Sequence, residues 1–419
     1  MMKLEIPNSV LPRVVIIGGG FAGLTLAQKI NKQHFQIILL DQENFHTFQP
    51  LLYQVASAQI EPQSLAFPLR KAFQGEPNTY IRKTQVLAVD AEKKSVQTQD
   101  GELHYDYLVL AMGAKSHYFG LKDMEEHALT LKTLSDAVDI RNTLLSDLED
   151  WENKGIQSKN WVVVGAGATG VEMAGALADL RNKILKLDFP ELDPKALKIT
   201  LIEASGKALG AFAEGMGDIA VQHLKTLGVE VLLNTEVSSY DGTHLQIKDA
   251  QTIQSQTVIW TAGVRAQTVS GLEKFQLPNG RIGVDEYNQV LQGKDIFCIG
   301  DQASMQTQGY EKGHPQLAPV AIAQAENLAK NLVRALFQKP MLAFAYHDKG
   351  SMVAVGLGVG VVRVFGKVWH GFWAFIVWFF VHLFQILGTK NKIFILLQWL
   401  SQYRSYNSAL RIILKSKKE

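Results

Sequence analysis

The 419-residue chain is 47% hydrophobic and 20% charged, which suits two to three domains with large buried cores. Its 42 lysines and arginines balance 40 aspartates and glutamates to a formal net charge of +2, with no basic field of the kind that holds nucleic acid, so no nucleic-acid partner is expected. Cys298 is the single cysteine; it excludes an intramolecular disulfide, a dithiol redox pair and a multi-cysteine metal centre, and it points to a reducing compartment. Met1 to Pro12 carries Glu5 and two prolines but no apolar stretch of a secretory signal, so the chain is expected to stay on the cytoplasmic side.

The first predicted element is a buried strand, Arg13 to Ile17, because four β-branched residues run into Gly18-Gly19-Gly20 and then into a helical pattern from Leu24 to Ile30. A second strand from Gln36 ends at Asp41. Alternating residues around Ser95-Val96-Gln97-Thr98, a turn at Asp100-Gly101 and the run Tyr105 to Leu110 predict a small antiparallel meander that returns to a parallel strand. The opening order then recurs: a strand Asn160 to Val164, the run Gly165-Ala166-Gly167-Ala168-Thr169-Gly170, a helix through Glu172 to Leu180, and a strand Lys198 to Ile202 ending at Glu203. Arg181 to Leu197 lengthens the second crossover and reads as a surface elaboration bounded by Pro190 and Pro194. From Phe344 the composition changes, with Gly356, Gly358 and Gly360 among valines, followed by a nearly all-apolar stretch from Gly371 to Leu387. The expected fold is therefore α/β, with two Rossmann-like dinucleotide-binding domains and a C-terminal helical segment.

Gly18-x-Gly20-x-x-Gly23, placed between a strand and a helix, is the pattern a dinucleotide pyrophosphate requires. One glycine makes the tight turn, one lets backbone approach the phosphates, and one lets helix and strand pack closely. The helix N-terminus then faces the anion. Asp41 falls eighteen positions after Gly23, where its carboxylate would meet the ribose hydroxyls. Gly165-x-Gly167-x-x-Gly170 with Glu203 repeats the arrangement, and the Glu203 charge would repel a 2′-phosphate, favouring NADH over NADPH. Either cluster alone is no more than a turn; the repetition in context argues for two nucleotides, a resident flavin and a visiting pyridine nucleotide. Phe297-Cys298-Ile299-Gly300-Asp301 adds a strand end that could set a carboxylate beside a flavin ribitol.

With these features the chain resembles the two-dinucleotide-binding-domain flavoproteins, and within them the type II NADH dehydrogenases, the single-subunit NADH:quinone oxidoreductases. The resemblance covers nearly the whole chain and rests on Asn44 to Ala56 (NFHTFQPLLYQVA), Val164 to Glu172, Trp260-Thr261-Ala262-Gly263-Val264, Ile299-Gly300-Asp301 and Ala318-Pro319-Val320-Ala321. It implies FAD contacts, non-covalent, at Gly18, Gly20, Gly23, Asp41, Pro50, Leu51, Ala111, Gly113, Asp301, Val320 and Ala321. It implies NADH contacts at Gly165, Gly167, Gly170, Glu172, Glu203 and Gly263. The implied division is a FAD domain in two parts, 1–130 and 271–345, with an NADH domain, 131–270, inserted in it, and a membrane-associated segment, 346–419. The chain departs from the family pattern Ala-Gln-x-Ala-x-Gln-Gln-Gly: it has Pro319 and Ala323 where glutamines linked to quinone handling stand, and only Gln324 remains. These three mark the expected quinone site, although the family's side-chain contacts do not carry over.

Hydride transfer to a flavin asks the protein for orientation and electrostatics rather than for a nucleophile. Glu172, read on the first turn of the second fingerprint's helix, is the candidate catalytic group, a partner for the nicotinamide carboxamide and a place to handle protons; its alternative role is favourable charge at a helix N-terminus. His46 reads as structural, the other histidines lack metal-ligand spacing, so no metal is expected, and Cys298 reads as an inert buried thiol.

Gly371 to Leu387, seventeen mainly apolar residues, falls short of the roughly twenty that cross a bilayer. Ile393 to Leu414 sets Ile393, Leu396, Leu400, Tyr403, Leu410 and Leu414 at near-helical spacing, with Lys390, Lys392, Arg404, Arg411, Lys415, Lys417 and Lys418 adding positive charge. Monotopic or peripheral attachment at the cytoplasmic face of a bacterial inner membrane is the expectation, with a homodimer formed by the same helical pair as a second use of its apolar surface. The expected acceptor is then a bilayer quinone, ubiquinone or menaquinone, and the absence of a chain of intramembrane acids argues against proton pumping. The competing readings are a soluble NADH-dependent ferredoxin or rubredoxin reductase, which would not need Gly371 to Leu387, and a slow flavin-bearing sensor or scaffold. Sulfide:quinone oxidoreduction is set aside because its chemistry relies on cysteines the chain lacks.

Overall fold

The computed structural model describes residues 4–156, 158–248, 251–405 and 410–413; Leu414, Lys415, Lys417 and Lys418, and the side chains of Tyr403 and Arg404, lie outside the described residues. In chain order the principal elements are β1 (Arg13–Ile17), α1 (Phe21–Lys29), β2 (Gln36–Asp41), β3 (Thr79–Lys83), β4 (Tyr107–Leu110), β5 (Leu129–Thr130), α2 (Leu134–Lys154), β6 (Lys159–Val164), α3 (Ala168–Asp179), β7 (Leu197–Ile202), β8 (Glu230–Leu232), β9 (Thr257–Trp260) and β10 (Ile296–Cys298). They continue with α4 (Ala318–Leu336), β11 (Ser351–Ala354), β12 (Gly360–Val364), β13 (Lys367–Gly371), α5 (Phe372–Gln385) and α6 (Thr389–Ser405). The chain forms two compact units.

The first unit takes its residues from Met1–Thr47, Ala66–Lys115 and Val264–His347. Its sheet is wholly parallel, in the order β10-β4-β1-β2-β3, with Val14 opposite both Ile37 and Tyr107. Parallel strands covered on both faces must be apolar throughout, which is why β1 and β2 read as continuous Val/Ile/Leu runs rather than alternating ones. Val15, Ile17, Ile38, Leu40 and Leu108 share one core with the meander residues Val89, Val96 and Leu103. That meander is Val86–Asp90, Ser95–Thr98 and Gly101–His104, antiparallel and leading to β4, as the alternation predicts.

The second unit takes Phe48–Leu65, Ser116–Gly263 and Asp348–Glu419. Its parallel sheet, β5-β9-β6-β7-β8, places the fingerprint strand β6 at the centre, between β7 and β9, just as β1 lies between β2 and β4. Helix α2 is capped by a reciprocal pair: Asp136 N–H donates to the Thr133 hydroxyl, and the Asp136 carboxylate accepts Thr133 N–H. Much of the crossover insert lies at the surface, as its sequence predicts, but its first turn is buried. Leu180–Ile184 forms a π-helical turn, and Arg181 within it is only 7% exposed. Its guanidinium donates to the carbonyls of Leu197, Leu227 and Gly228, so the charge is buried with its donors engaged rather than solvated.

The C-terminal part of this unit is an antiparallel sheet, β11-β12-β13, followed by α5 and α6. Gly360 is required where α5 packs on β12, because a Cβ there would lie 2.6 Å from the Phe375 nitrogen. The second apolar helix starts at Thr389, immediately after Gly388 with φ 82°, rather than at Ile393. The segment 48–65 belongs to the same unit and docks on α6: Trp399 Nε1–H donates to Gln54 Oε1 at 2.7 Å, Glu61 N–H donates to Gln398 Oε1 at 3.2 Å, and Gln402 donates to the Gln59 carbonyl. Among the described residues no helix is long and apolar enough to cross a membrane.

Candidate nucleotide-binding sites

In the first unit the three glycines of the fingerprint are forced by three different contacts. Gly18 has φ 106°, and a Cβ on it would lie 2.3 Å from the Ala111 carbonyl oxygen. Gly23 would drive a Cβ to 1.8 Å from the Gly18 oxygen, so helix α1 can approach the turn only with a glycine there. Gly20 is different: its φ of −70° suits any residue, and no atom lies within 4 Å of where its Cβ would be. The fold does not need that glycine, and the open space would let a ligand approach the backbone there. Gly20 is the N-cap of α1, no side chain caps the helix, and no acid occupies its first turn, so its N-terminal dipole is left for an anion.

The second unit repeats this geometry. Gly165 has φ 101° and would place a Cβ 2.7 Å from the Ala262 backbone, Gly170 would reach 1.8 Å from the Gly165 oxygen, and Gly167, at φ −69°, has nothing within 4 Å. Thr261 locks the turn by donating its hydroxyl to the Val164 and Gly165 carbonyls, both at 2.9 Å.

The two acids do the same work in each copy, beyond what their spacing foretells. Asp41 Oδ2 accepts Gly19 N–H at 2.5 Å while Oδ1 accepts Glu43 N–H at 2.7 Å. Glu203 Oε2 accepts Ala166 N–H and Oε1 accepts Ser205 N–H, each at 2.8 Å. Each carboxylate thus ties the end of the second strand to the glycine turn, and burial pushes the Asp41 pKa up against the pull of its backbone donors. His46, buried, bonds the Gly19 carbonyl through Nδ1 at 3.0 Å and supports the same turn.

The other expected flavin contacts divide between the units. Ala111 is buried against the Gly18 turn, donating to the Ile17 carbonyl, and Gly113 has φ 69° with open space around its Cβ position. Asp301 follows Gly300, whose φ is 75°; Gly300 N–H donates to Gln324 Oε1 at 2.7 Å, and the Asp301 carbonyl accepts Gln316 Nε2–H at 2.9 Å. Val320 and Ala321 are buried in the first turn of α4, where Pro319 supplies a helix start that needs no N–H, and Ala323 is half-buried. Gln324 is buried, with its side-chain oxygen committed to the Gly300 turn. Pro50 and Leu51 form a 3₁₀ turn in the second unit.

Glu172 lies at the fifth position of α3, past its first turn, because the helix begins at Ala168, two residues before Gly170. A helix-terminus charge role is thereby replaced by a buried one. Glu172 is 7% exposed and its Oε1 accepts Ala354 N–H from β11 at 3.3 Å. Burial pushes its pKa up to about 8, so at neutral pH it holds its proton. The Trp378 indole N–H of α5 makes no hydrogen bond of ordinary geometry, and its approach pulls the Glu172 pKa down. His382 packs on Trp378 at 4.4 Å between ring centres, bonds the Trp378 carbonyl through Nδ1, and is driven down to about 4 by burial. Gly263, with φ 74°, abuts the Phe119 ring. Sequence reasoning missed Thr261, Ala354, Trp378 and Phe119 as site residues; Thr261 lay in a stretch singled out for the nucleotide site, and Trp378 in the apolar stretch Gly371 to Leu387 read for the membrane. Among the described residues no group of three His, Cys, Asp or Glu could hold a metal ion. Cys298 is fully buried, and its thiol pKa is pushed up by that burial.

Two such cradles in one chain define a protein that handles two nucleotides, and residues 12–325 match the family model of the pyridine nucleotide-disulphide oxidoreductases. A type II NADH:quinone oxidoreductase of Mycobacterium tuberculosis is 32% identical over 92% of this chain and 87% of its own length. Another, from Staphylococcus saprophyticus, is 29% identical over 85% of this chain and 90% of its own. The structure of NDH2 from Plasmodium falciparum in complex with NADH superposes with a TM-score of 0.87 over 96% of this chain and 100% of that one, at 20% identity, a likeness of fold. The chain belongs to the pyridine nucleotide-disulphide oxidoreductases and, within them, to the type II NADH:quinone oxidoreductases.

Proposed function

We propose that this chain oxidises NADH and reduces a membrane quinone, with a non-covalent FAD held at the first glycine cradle and NADH at the second. The observation that carries the reading is the pair of open glycines, Gly20 and Gly167, each at a helix N-terminus and each left unexplained by the fold alone. When bound, FAD would supply the two-electron chemistry that links hydride donor to quinone. The chain's own residues bind and orient. Asp41 and Glu203 fix the turns, the Glu203 charge disfavours a 2′-phosphate, and Gln324 sets the Gly300 turn that carries Asp301. Glu172 holds a proton at its carboxyl in a site shielded from water by β11 and α5. Pro319 and Ala323 are the proposed quinone-side positions, and Gln324 acts there through the Gly300 turn.

Attachment to a bilayer surface is part of the proposal. Trp373, Val377, Phe380 and Phe384 are exposed at successive turns of α5, and Ile393, Phe394, Leu397 and Leu400 do the same on α6. This apolar surface favours a membrane quinone reductase over a soluble ferredoxin reductase. A homodimer through the same helices is the second assembly we consider, but the chain from Lys349 to Lys418 holds ten lysines and arginines and no aspartate or glutamate. That excess of positive charge in the sequence suits an anionic leaflet, so the bilayer is the first occupant of the helices and the dimer a second use of them. Purified protein tests the reading: acid treatment should release FAD, NADH should be oxidised in the presence of a short-chain ubiquinone or menaquinone, and NADPH should be a poor substitute. Turnover with ferredoxin or rubredoxin but with no quinone would refute it.

A further inference from the structure

Phe365 and Gly366 form the two-residue loop joining β12 to β13, with Val364 and Lys367 as the last strand pair. Their φ angles, 50° and 74°, are both left-handed, as a type I′ hairpin turn demands. Asparagine-glycine is the favoured pair for that turn, and a bulky aromatic at its first position is strained. Packing offers no compensation, since Phe365 is 99% exposed. Trp369, 59% exposed on the following strand, and Trp373, 74% exposed at the start of α5, are further exposed aromatics on the same stretch of chain. Arg363 is paired with Asp348 at 3.1 Å, which leaves Lys367 as the exposed cation flanking the tip.

We infer that the β12–β13 hairpin is a bilayer-inserting wedge: Phe365 enters the interfacial layer of an anionic leaflet, and Lys367 pairs with a lipid phosphate beside it. The inference rests on the reading that α5 and α6 lie on a membrane, and it adds a contact that neither helix supplies. Anionic lipid is the occupant that fits the exposed Lys367 beside Phe365 and the excess of lysine and arginine in the sequence from Lys349 to Lys418. An aromatic beside a cation at a loop tip is the chemistry of interfacial anchoring, with the ring at headgroup depth and the charge on the phosphates. The left-handed strain at Phe365 is then offset on binding rather than on folding.

The lone Cys298 is buried, so a Phe365→Cys variant of the full-length, flavin-loaded protein can be labelled at the tip alone with an environment-sensitive fluorophore. On vesicles containing phosphatidylglycerol the emission should shift to the blue and be quenched by a lipid-borne quencher, with far less change on phosphatidylcholine alone. A label that stays in water while the protein sediments with the vesicles would overturn the wedge and leave the helices' attachment standing. Protein that binds no vesicle would overturn both. A blue shift that follows protein concentration without lipid would assign the tip to a second copy and overturn the inference too. Phe365→Asn supplies the residue the turn prefers, so it should melt no lower than wild type yet partition roughly tenfold more weakly onto anionic vesicles. Unchanged partitioning would contradict the wedge.

Discussion

Replacing Gly167 and Gly170 by alanine separates what the fold needs from what the ligand needs. At Gly167 the φ of −69° suits alanine and the Cβ enters open space, so the stability change should stay within about 1 kcal/mol, the spread of glycine and alanine at a helix N-cap. The methyl would stand where a pyrophosphate meets the backbone, and displacing the nucleotide by about 1 Å costs on the order of a hundredfold in productive binding. At Gly170 the Cβ would lie 2.8 Å from the Thr261 side-chain hydroxyl and 1.8 Å from the Gly165 oxygen, backbone that cannot yield without opening the turn, so destabilisation of several kcal/mol is expected. Thermal melting of both variants, with NADH titrated against flavin reduction, distinguishes the two. The account predicts wild-type melting with NADH affinity down tenfold or more for Gly167→Ala, and loss of folded protein for Gly170→Ala. Normal NADH affinity in a well-folded Gly167→Ala would refute the assignment of that open position to the nucleotide.

Glu172→Gln should gain on wild type as pH rises. The native pKa of about 8 lies above the carboxyl's ordinary 4.5, so the folded state binds the proton more tightly and wild type loses about 1.4 kcal/mol of stability for each pH unit between those values, a loss glutamine avoids. Parallel melting profiles across that window would contradict a buried, protonated Glu172. The same variant should keep its flavin and reduce it roughly tenfold more slowly with NADH, since the proton-holding group is gone. Glu203→Gln keeps an oxygen for the Ala166 N–H but removes the charge, so the KM for NADH should rise about tenfold while the NADPH-to-NADH preference shifts toward NADPH; an unchanged preference would assign Glu203 to the turn alone. Gln324→Leu strips the partner from the Gly300 N–H and should weaken flavin retention roughly tenfold, read as cofactor lost on gel filtration.

The βαβ unit at the heart of each parallel sheet was legible because its evidence is local: a β-branched run ending in glycine, helix periodicity after it, and an acid at the next strand end; the outer strands Thr79–Lys83, Leu129–Thr130, Glu230–Leu232 and Thr257–Trp260 were not read. The glycine pattern did not reveal that Gly20 and Gly167 would be open while Gly18, Gly23, Gly165 and Gly170 are sterically compelled. Glu172 was legible as a special residue and not as a buried one, since its cover comes from Ala354 and Trp378, far along the chain. The burial of Arg181 at the start of the crossover insert was not legible because the carbonyls it holds, at Leu197, Leu227 and Gly228, are distant in sequence. The docking of Gln54 on Trp399 crosses 345 positions of sequence, and no periodicity encodes such a pair.

The account's central claim is that electrons pass from NADH through the bound flavin to a quinone, and anaerobic rapid mixing tests it in two stages. Detergent-solubilised protein mixed with NADH should lose its oxidised flavin absorbance promptly, and subsequent mixing with a short-chain ubiquinone or menaquinone should restore it at a rate sufficient for steady-state turnover. Flavin that stays oxidised with NADH, or that stays reduced with every quinone and recovers only with ferredoxin or rubredoxin, would contradict the claim.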